Sequence, residues 1–205
     1  MDAHIFIDNS NIFGGARRAG GTRGECAPAV RVYYRNLFRL LEAGLHPVTR
    51  VMAGAVPPGN DELWEYSRKA QYDTSLLKKV VNDDGDLGEQ GVDEILHLRI
   101  ANALLDHSAP QTLVIATGDG KESDFGTSFY AQAVRALKHG WGVDLWSWEA
   151  QLSGRFRRLE QESKGFFQVC LLDPHYRQIT FSKAGTYTHS GQVVTAVERV
   201  VDHMP

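Results

Sequence analysis

His4-Ile5-Phe6-Ile7-Asp8-Asn9-Ser10-Asn11 decides the reading of the fold, because a short apolar run stops abruptly at four polar residues. An apolar run without alternation marks a strand buried on both faces, so the polar tetrad opens a loop at that strand's carboxyl end. Thr112-Leu113-Val114-Ile115-Ala116 repeats the design and leads directly into Thr117-Gly118-Asp119-Gly120. Two strands of this kind, each ending in an acidic polar turn, predict an open parallel sheet with its functional edge at the carboxyl ends.

Outward from these two strands the chain alternates. Val30, Tyr33, Tyr34, Leu37, Phe38 and Leu41 predict a helix with one buried face, stopped at Gly44, whose other face carries Arg31, Arg35 and Arg39. Val48–Val56 reads as a strand closed by Pro57-Pro58, Asp61–Ala70 as a helix capped by Asn60 or Asp61, and Tyr72–Val81 as another strand. After a polar turn at Asn82–Gln90, Val92, Ile95, Leu96, Ile100, Ala103 and Leu104 mark a helix with Asp93 in its first turn. A helix from Gly126 to His139, a strand at Val143–Trp148, a helix at Leu152–Glu162 and a strand at Phe167–Leu172 continue the pattern. Repeated strand–helix order implies parallel pairing with right-handed crossovers. The expected fold is a three-layer α/β/α domain of Rossmannoid type around a central, mainly parallel sheet, over residues 1–172.

Two stretches stand outside the alternation. Residues Gly14 to Pro28 hold five glycines with Arg17, Arg18 and Arg23 and little that could pack, which predicts a flexible basic loop. Residues 173–205 form an extension in which Ile179–Tyr187 resembles a short strand or hairpin and Val193–Val201 a short amphipathic segment. An edge, a contact in a homodimer and a frayed tail are all open readings of it.

With 22 Lys+Arg against 25 Asp+Glu, the net charge of −3 supplies no global attraction for nucleic acid, so any polyanion must meet a local basic patch. Cys26 and Cys170 lack CxxC or Cys/His spacing, which argues against a zinc knuckle or a disulfide framework and for reduced thiols in the cytoplasm. The start of the chain does not read as a secretion signal and no apolar run has membrane-spanning length, so no membrane partner is expected.

The strands before Asp8 and Asp119 are natural neighbours at the crevice where strand order reverses, so these two carboxylates are expected to face each other. Asp93 can project into the same crevice, and Asp124 follows Asp119. Converging carboxylates repel by about 4 kcal/mol per pair at 4 Å with an effective dielectric of 20. A bound cation removes that cost, and hard oxygen ligands select Mg²⁺ or Mn²⁺ over zinc. Asn9 and Asn11 are placed to hold a water or a carboxylate. Each acid also has a plain structural role: Asp8 as a cap, Asp93 as a favourable charge at a helix start, Asp119 and Asp124 as turn residues.

Taken together, Phe6-Ile7-Asp8-Asn9-Ser10-Asn11, Gly91-Val92-Asp93 and Ala116-Thr117-Gly118-Asp119 followed by Ser123-Asp124-Phe125 resemble the NYN group of PIN-like nucleases. The resemblance implies Mg²⁺- or Mn²⁺-dependent endonucleolytic hydrolysis of RNA, leaving a 5′-phosphate and a 3′-hydroxyl. It assigns Asp8, Asp93, Asp119 and Asp124 to metal-ligating positions and Asn11 to a supporting one. The family's closely spaced Gly-Asp-Ser-Asp-Phe turn is here lengthened by Gly120-Lys121-Glu122-Ser123, so Glu122 competes with Asp124 for the fourth ligand position.

Single-stranded RNA is the expected partner. Arg17, Arg18 and Arg23, with Lys121 beside the acidic turn, are candidates to neutralise phosphates, and Arg35 extends that path along its helix. Trp146 and Trp148 share one side of their strand by two-residue alternation, and Trp148, nearer the strand end, is the better candidate to stack on a base. His97 lies one turn beyond Asp93 on the same helix face. Two rival functions remain. A haloacid-dehalogenase-type phosphatase would explain Gly118-Asp119-Gly120, but it wants an acid two residues after its nucleophile, and position 10 is Ser. A non-catalytic RNA- or protein-binding module with the same fold would bind RNA in chelator without cutting it.

Overall fold

A computed structural model describes residues 1–55, 61–77, 80–81, 87–88, 91–118, 127–189 and 191–204. In chain order the elements are β1 (Asp2–Asp8), α1 (Asn9–Thr22), β2 (Val30–Val32), α2 (Tyr34–Leu41), β3 (His46–Ala55), α3 (Asp61–Lys69), β4 (Asp73–Leu77), β5 (Val80–Val81) and β6 (Leu87–Gly88). These are followed by α4 (Val92–Asp106), β7 (Thr112–Ala116), α5 (Phe129–Lys138), β8 (Gly142–Ser147), α6 (Gly154–Glu162), β9 (Phe167–Leu171), α7 (Tyr176–Ile179), β10 (Thr180–Ser182), β11 (Gly185–His189) and β12 (Gln192–Ala196).

Six strands form one sheet in the order β4-β3-β1-β7-β8-β9, and every neighbouring pair is parallel. Counting only these six, the order is 3-2-1-4-5-6, the doubly wound arrangement, which reverses between β1 and β7. Side-chain alternation divides the core. Ile5, Ile7, Met52, Val114 and Ala116 face a layer with Ile12, Ala16, Leu37, Phe38 and Trp64 from α1, α2 and α3. Phe6, Val51, Ala53, Leu113 and Ile115 face Leu96, Ile100, Phe129, Ala133 and Phe156 from α4, α5 and α6. The three-layer α/β/α fold follows from strands that are apolar on both faces and so demand helices on both. Among the described residues no helix is long and apolar enough to cross a membrane.

The basic loop expected at Gly14–Pro28 is instead mostly helix: α1 starts at Asn9 and runs to Thr22. Ile12, Ala16 and Ala19 recur at helical spacing and are buried. The glycines permit close approach here. A Cβ on Gly15 would come within 2.1 Å of the Trp148 ring, and one on Gly20 within 2.6 Å of the Tyr176 hydroxyl and of Val30. Packing against partners distant in sequence outweighs the roughly 1 kcal/mol per glycine that a helix forfeits relative to alanine.

The single helix expected from Val30 to Leu41 is divided. Val30–Val32 pairs antiparallel with Thr180–Ser182, the Tyr33 amide donates to Ile179 O at 2.7 Å, and only then does α2 begin. Arg31 therefore leaves the proposed arginine stripe, its guanidinium donating to Pro28 O and Val30 O. In the extension, Tyr176 and Ile179 are buried in the α1 side of the core, and β11 and β12 make an antiparallel hairpin. The strand β12 replaces the start of the amphipathic segment expected at Val193–Val201.

Candidate functional site

The site is built where β1 and β7 end side by side. Ile7 pairs with Ala116, so Asp8 and Thr117 leave the sheet at the same level. Asp8 is the N-cap of α1: its Oδ1 accepts from the Asn11 amide at 3.0 Å, satisfying one of the free N–H groups of the first turn. Its Oδ2 accepts from the Thr117 hydroxyl at 3.0 Å. Asp8 as a whole is only 4% exposed, so its orientation is fixed by buried contacts.

Asn11 ties the same two elements a second time, with its Oδ1 accepting from the Gly118 amide at 2.8 Å. The Gly118 carbonyl in turn accepts from the Ser153 amide at 3.3 Å, and Thr117 N donates to Trp146 O at 3.1 Å. Gly118 is thus held through both its amide and its carbonyl. Gly118 must be glycine: a Cβ there would lie 2.8 Å from Gln151 Cβ, Gln151 O and Ser147 Oγ. Asn9, buried beside Asp8, accepts from the Tyr34 hydroxyl, and burial raises the Tyr34 phenol above its ordinary range, keeping it protonated as a donor.

Asp93 is half-buried in the first turn of α4. That helix packs on β1 and β3 and returns the chain to the start of β7, which puts its N-terminus at the carboxyl edge of the sheet. The N-terminus of α1 opens at the same edge, and both lend it partial positive charge. Asp119, Asp124, Lys121 and Glu122 lie outside the described residues. Among the described residues no three His, Cys, Asp or Glu side chains gather as ligands for one metal ion. Asp8 offers the carboxylate oxygens that hard cations take as ligands. Each of its oxygens accepts one of the hydrogen bonds above.

The candidates for RNA contact fare unequally. Arg17 donates through Nε to Ala27 O at 3.1 Å and lies over the Phe13 ring, and Arg23 packs over Tyr176 while bonding Ala19 O and Asp173. Both are anchored where a mobile loop was expected. Arg18 is exposed on α1, and Arg35 is exposed on α2 next to Tyr34, whose hydroxyl reaches Asn9. Trp148 is not a stacking platform: it is 1% exposed, its Nε1 donates to Ile12 O at 2.9 Å, and it meets Tyr176 edge-on. His97 is likewise buried, edge-on to Phe129. Sequence reasoning missed Tyr34, Ser153 and Gln151: Tyr34 reads only as a buried helix position, and Gln151 and Ser153 fall at the junction between an expected strand and an expected helix.

Fold and edge together define a doubly wound α/β/α protein with a polar, carboxylate-bearing switch point. The fold is similar to the crystal structure of a protein of unknown function, VPA0982, from Vibrio parahaemolyticus RIMD 2210633. The TM-score is 0.59 at 12% identity over 84% of this chain and 94% of that one. No protein-family model matches the chain, and no curated protein matches it.

Proposed function

We propose that the protein is a divalent-metal-dependent endoribonuclease of the NYN, PIN-like kind, acting on single-stranded RNA in the cytoplasm. The observation that supports this most is the double tie between Asp8-Asn9-Ser10-Asn11 and Thr117-Gly118 at the point where strand order reverses. Asp8, Asp93, Asp119 and Asp124 would hold Mg²⁺ or Mn²⁺, which when bound supplies an activated water and offsets charge building on phosphate. The chain's own part is preorganisation. The Asn11 amide and the Thr117 hydroxyl fix the Asp8 carboxylate, and Asn11 with Ser153 fixes the peptide before Asp119, so neither group reorients during reaction. Arg18 on α1 and Arg35 on α2 are exposed cations that can meet backbone phosphates. Cys26 and Cys170 are free thiols, with burial pushing Cys170 up to about 11, in keeping with a reducing compartment.

The role of Asp8 as a helix cap favours one other reading, a binding module that keeps the fold without turnover. A labelled single-stranded RNA incubated with MnCl₂ or MgCl₂ separates the two. The nuclease reading expects metal-dependent cleavage that chelator and Asp119→Asn both abolish. Binding in chelator with intact RNA at every metal concentration would replace it with the module.

A further inference from the structure

Residues 184–197 hold no Asp, Glu, Lys or Arg, the longest such run in a chain in which 23% of residues are charged. This run is not buried in the core. It forms β11 and β12, which pair from Gly185 with Ala196 to His189 with Gln192, and the Ser182–Arg199 bridge falls in the same register. Ser182 and Arg199 exchange backbone hydrogen bonds at 2.9 and 3.0 Å, Ser182 also pairs with Val30 of β2, and the Arg199 guanidinium is fixed by Glu25 and Thr180. The ribbon is therefore anchored at its base, while alternation puts Thr186, Thr188, Val193 and Thr195 on one exposed, wholly β-branched face. Val193 is 74% exposed and Val197, two residues beyond Thr195, 83%. Among the described residues the backbone of Gln192–Ala196 bonds to β11 and to no other strand, so the far edge of β12 is open.

A two-stranded ribbon is marginal in water by itself, and a free edge invites another strand. Proteins that stay monomeric blunt such edges with lysine, other charges or proline, and residues 184–197 contain none of these. A polyanion would find no cation there. Pairing with an identical chain is what an uncharged edge suits: about a two-fold axis an antiparallel strand meets its own copy, so a charge near the axis would face the same charge. We propose that β12 pairs antiparallel with β12 of a second copy of this chain, joining two ribbons into one four-stranded sheet. An axis at Thr195 sets Val193 of each chain opposite Val197 of the other, which covers both exposed valines at once. The contact closes on itself, so assembly stops at the dimer.

The test is sedimentation velocity of the full-length protein over a concentration series, with amide hydrogen exchange measured at both ends of it. The expected result is a monomer–dimer equilibrium in which the amides of β12 exchange more slowly in the dimer. Thr195→Lys and Thr195→Glu, each placing like charges together at the axis, should both weaken association by about tenfold or more. An equimolar mixture of the two variants should restore it, a rescue that a misfolded ribbon could not give. A wild type that stays monomeric at every concentration, or grows past the dimer, overturns the proposal. So does a dimer whose protected amides lie elsewhere, as on α4 beside the exposed Leu98 and Leu105. Variants that associate as tightly as the wild type, or a mixture that stays monomeric, remove the pairing about Thr195.

Discussion

The Asp8 carboxylate ends a strand, caps a helix and takes a hydroxyl from the neighbouring strand's turn, so substitutions there separate structure from chemistry. Asparagine is as good an N-cap as aspartate, whereas alanine forfeits about 0.5–2 kcal/mol. Asp8→Asn should therefore melt near the wild type yet lose metal-dependent cleavage, while Asp8→Ala should lose both; thermal melts beside the RNA assay read the difference. At the opposite edge of the sheet, His4 is fully buried, with Nδ1 2.9 Å from Thr49 Oγ1 and its ring 4.5 Å from His107. Burial first, and then the neighbouring His107, hold its pKa below the ordinary 6.5. The unfolded chain thus binds a proton there that the folded chain refuses. Stability should be full above pH 6.5, fall as pH drops from 6.5 to the lowered folded value, and change no further below that. Urea midpoints across this range should slope in the wild type and flatten in His4→Gln; equal slopes would remove His4 from the account. At this scale the position of Asp8 and Asn11 at the end of β1 was legible from the break between apolar run and polar tetrad. Tyr34 was not, because a helix pattern records that it is buried but not that its hydroxyl reaches Asn9.

Among the elements, α1 shows most clearly where local reading stops. Five glycines between Gly14 and Pro28 argue for a loop when only propensity is weighed, and Ile12, Ala16 and Ala19 are too small a stripe to argue back. The deciding information is carried by Trp148 and Tyr176, which pack into the gaps those glycines leave. Gly15→Ala should gain helix propensity but force Trp148 out of its seat, for a net loss of about 1–3 kcal/mol from overpacking. Gly14→Ala, with nothing within 4 Å of the new methyl, should stabilise by up to about 1 kcal/mol. Denaturant midpoints of the pair test this, and a stabilised Gly15→Ala would refute close approach as the reason for that glycine. The division of Val30–Leu41 has the same origin, since β2 exists only because β10 arrives to pair with it.

For the whole molecule, the alternation of strands and helices, the parallel sheet and the adjacency of β1 and β7 were readable, because strands apolar on both faces admit few arrangements. The path of the extension was not. It is pinned by Tyr176 and Ile179 in the core and by Arg199, which donates to Glu25 Oε1 at 2.9 Å and to Thr180 O at 2.8 Å, partners distant in sequence. A divalent cation residing at the reversal point between β1 and β7 is what the proposed chemistry requires. Substoichiometric Mn²⁺ added to ¹⁵N-labelled protein locates that ion directly through paramagnetic broadening. Amides of Asp8, Asn9, Asn11, Thr117 and Gly118 should broaden first, and Asp8→Asn should abolish the effect. Broadening that begins at another surface, or none at these amides, would contradict the site.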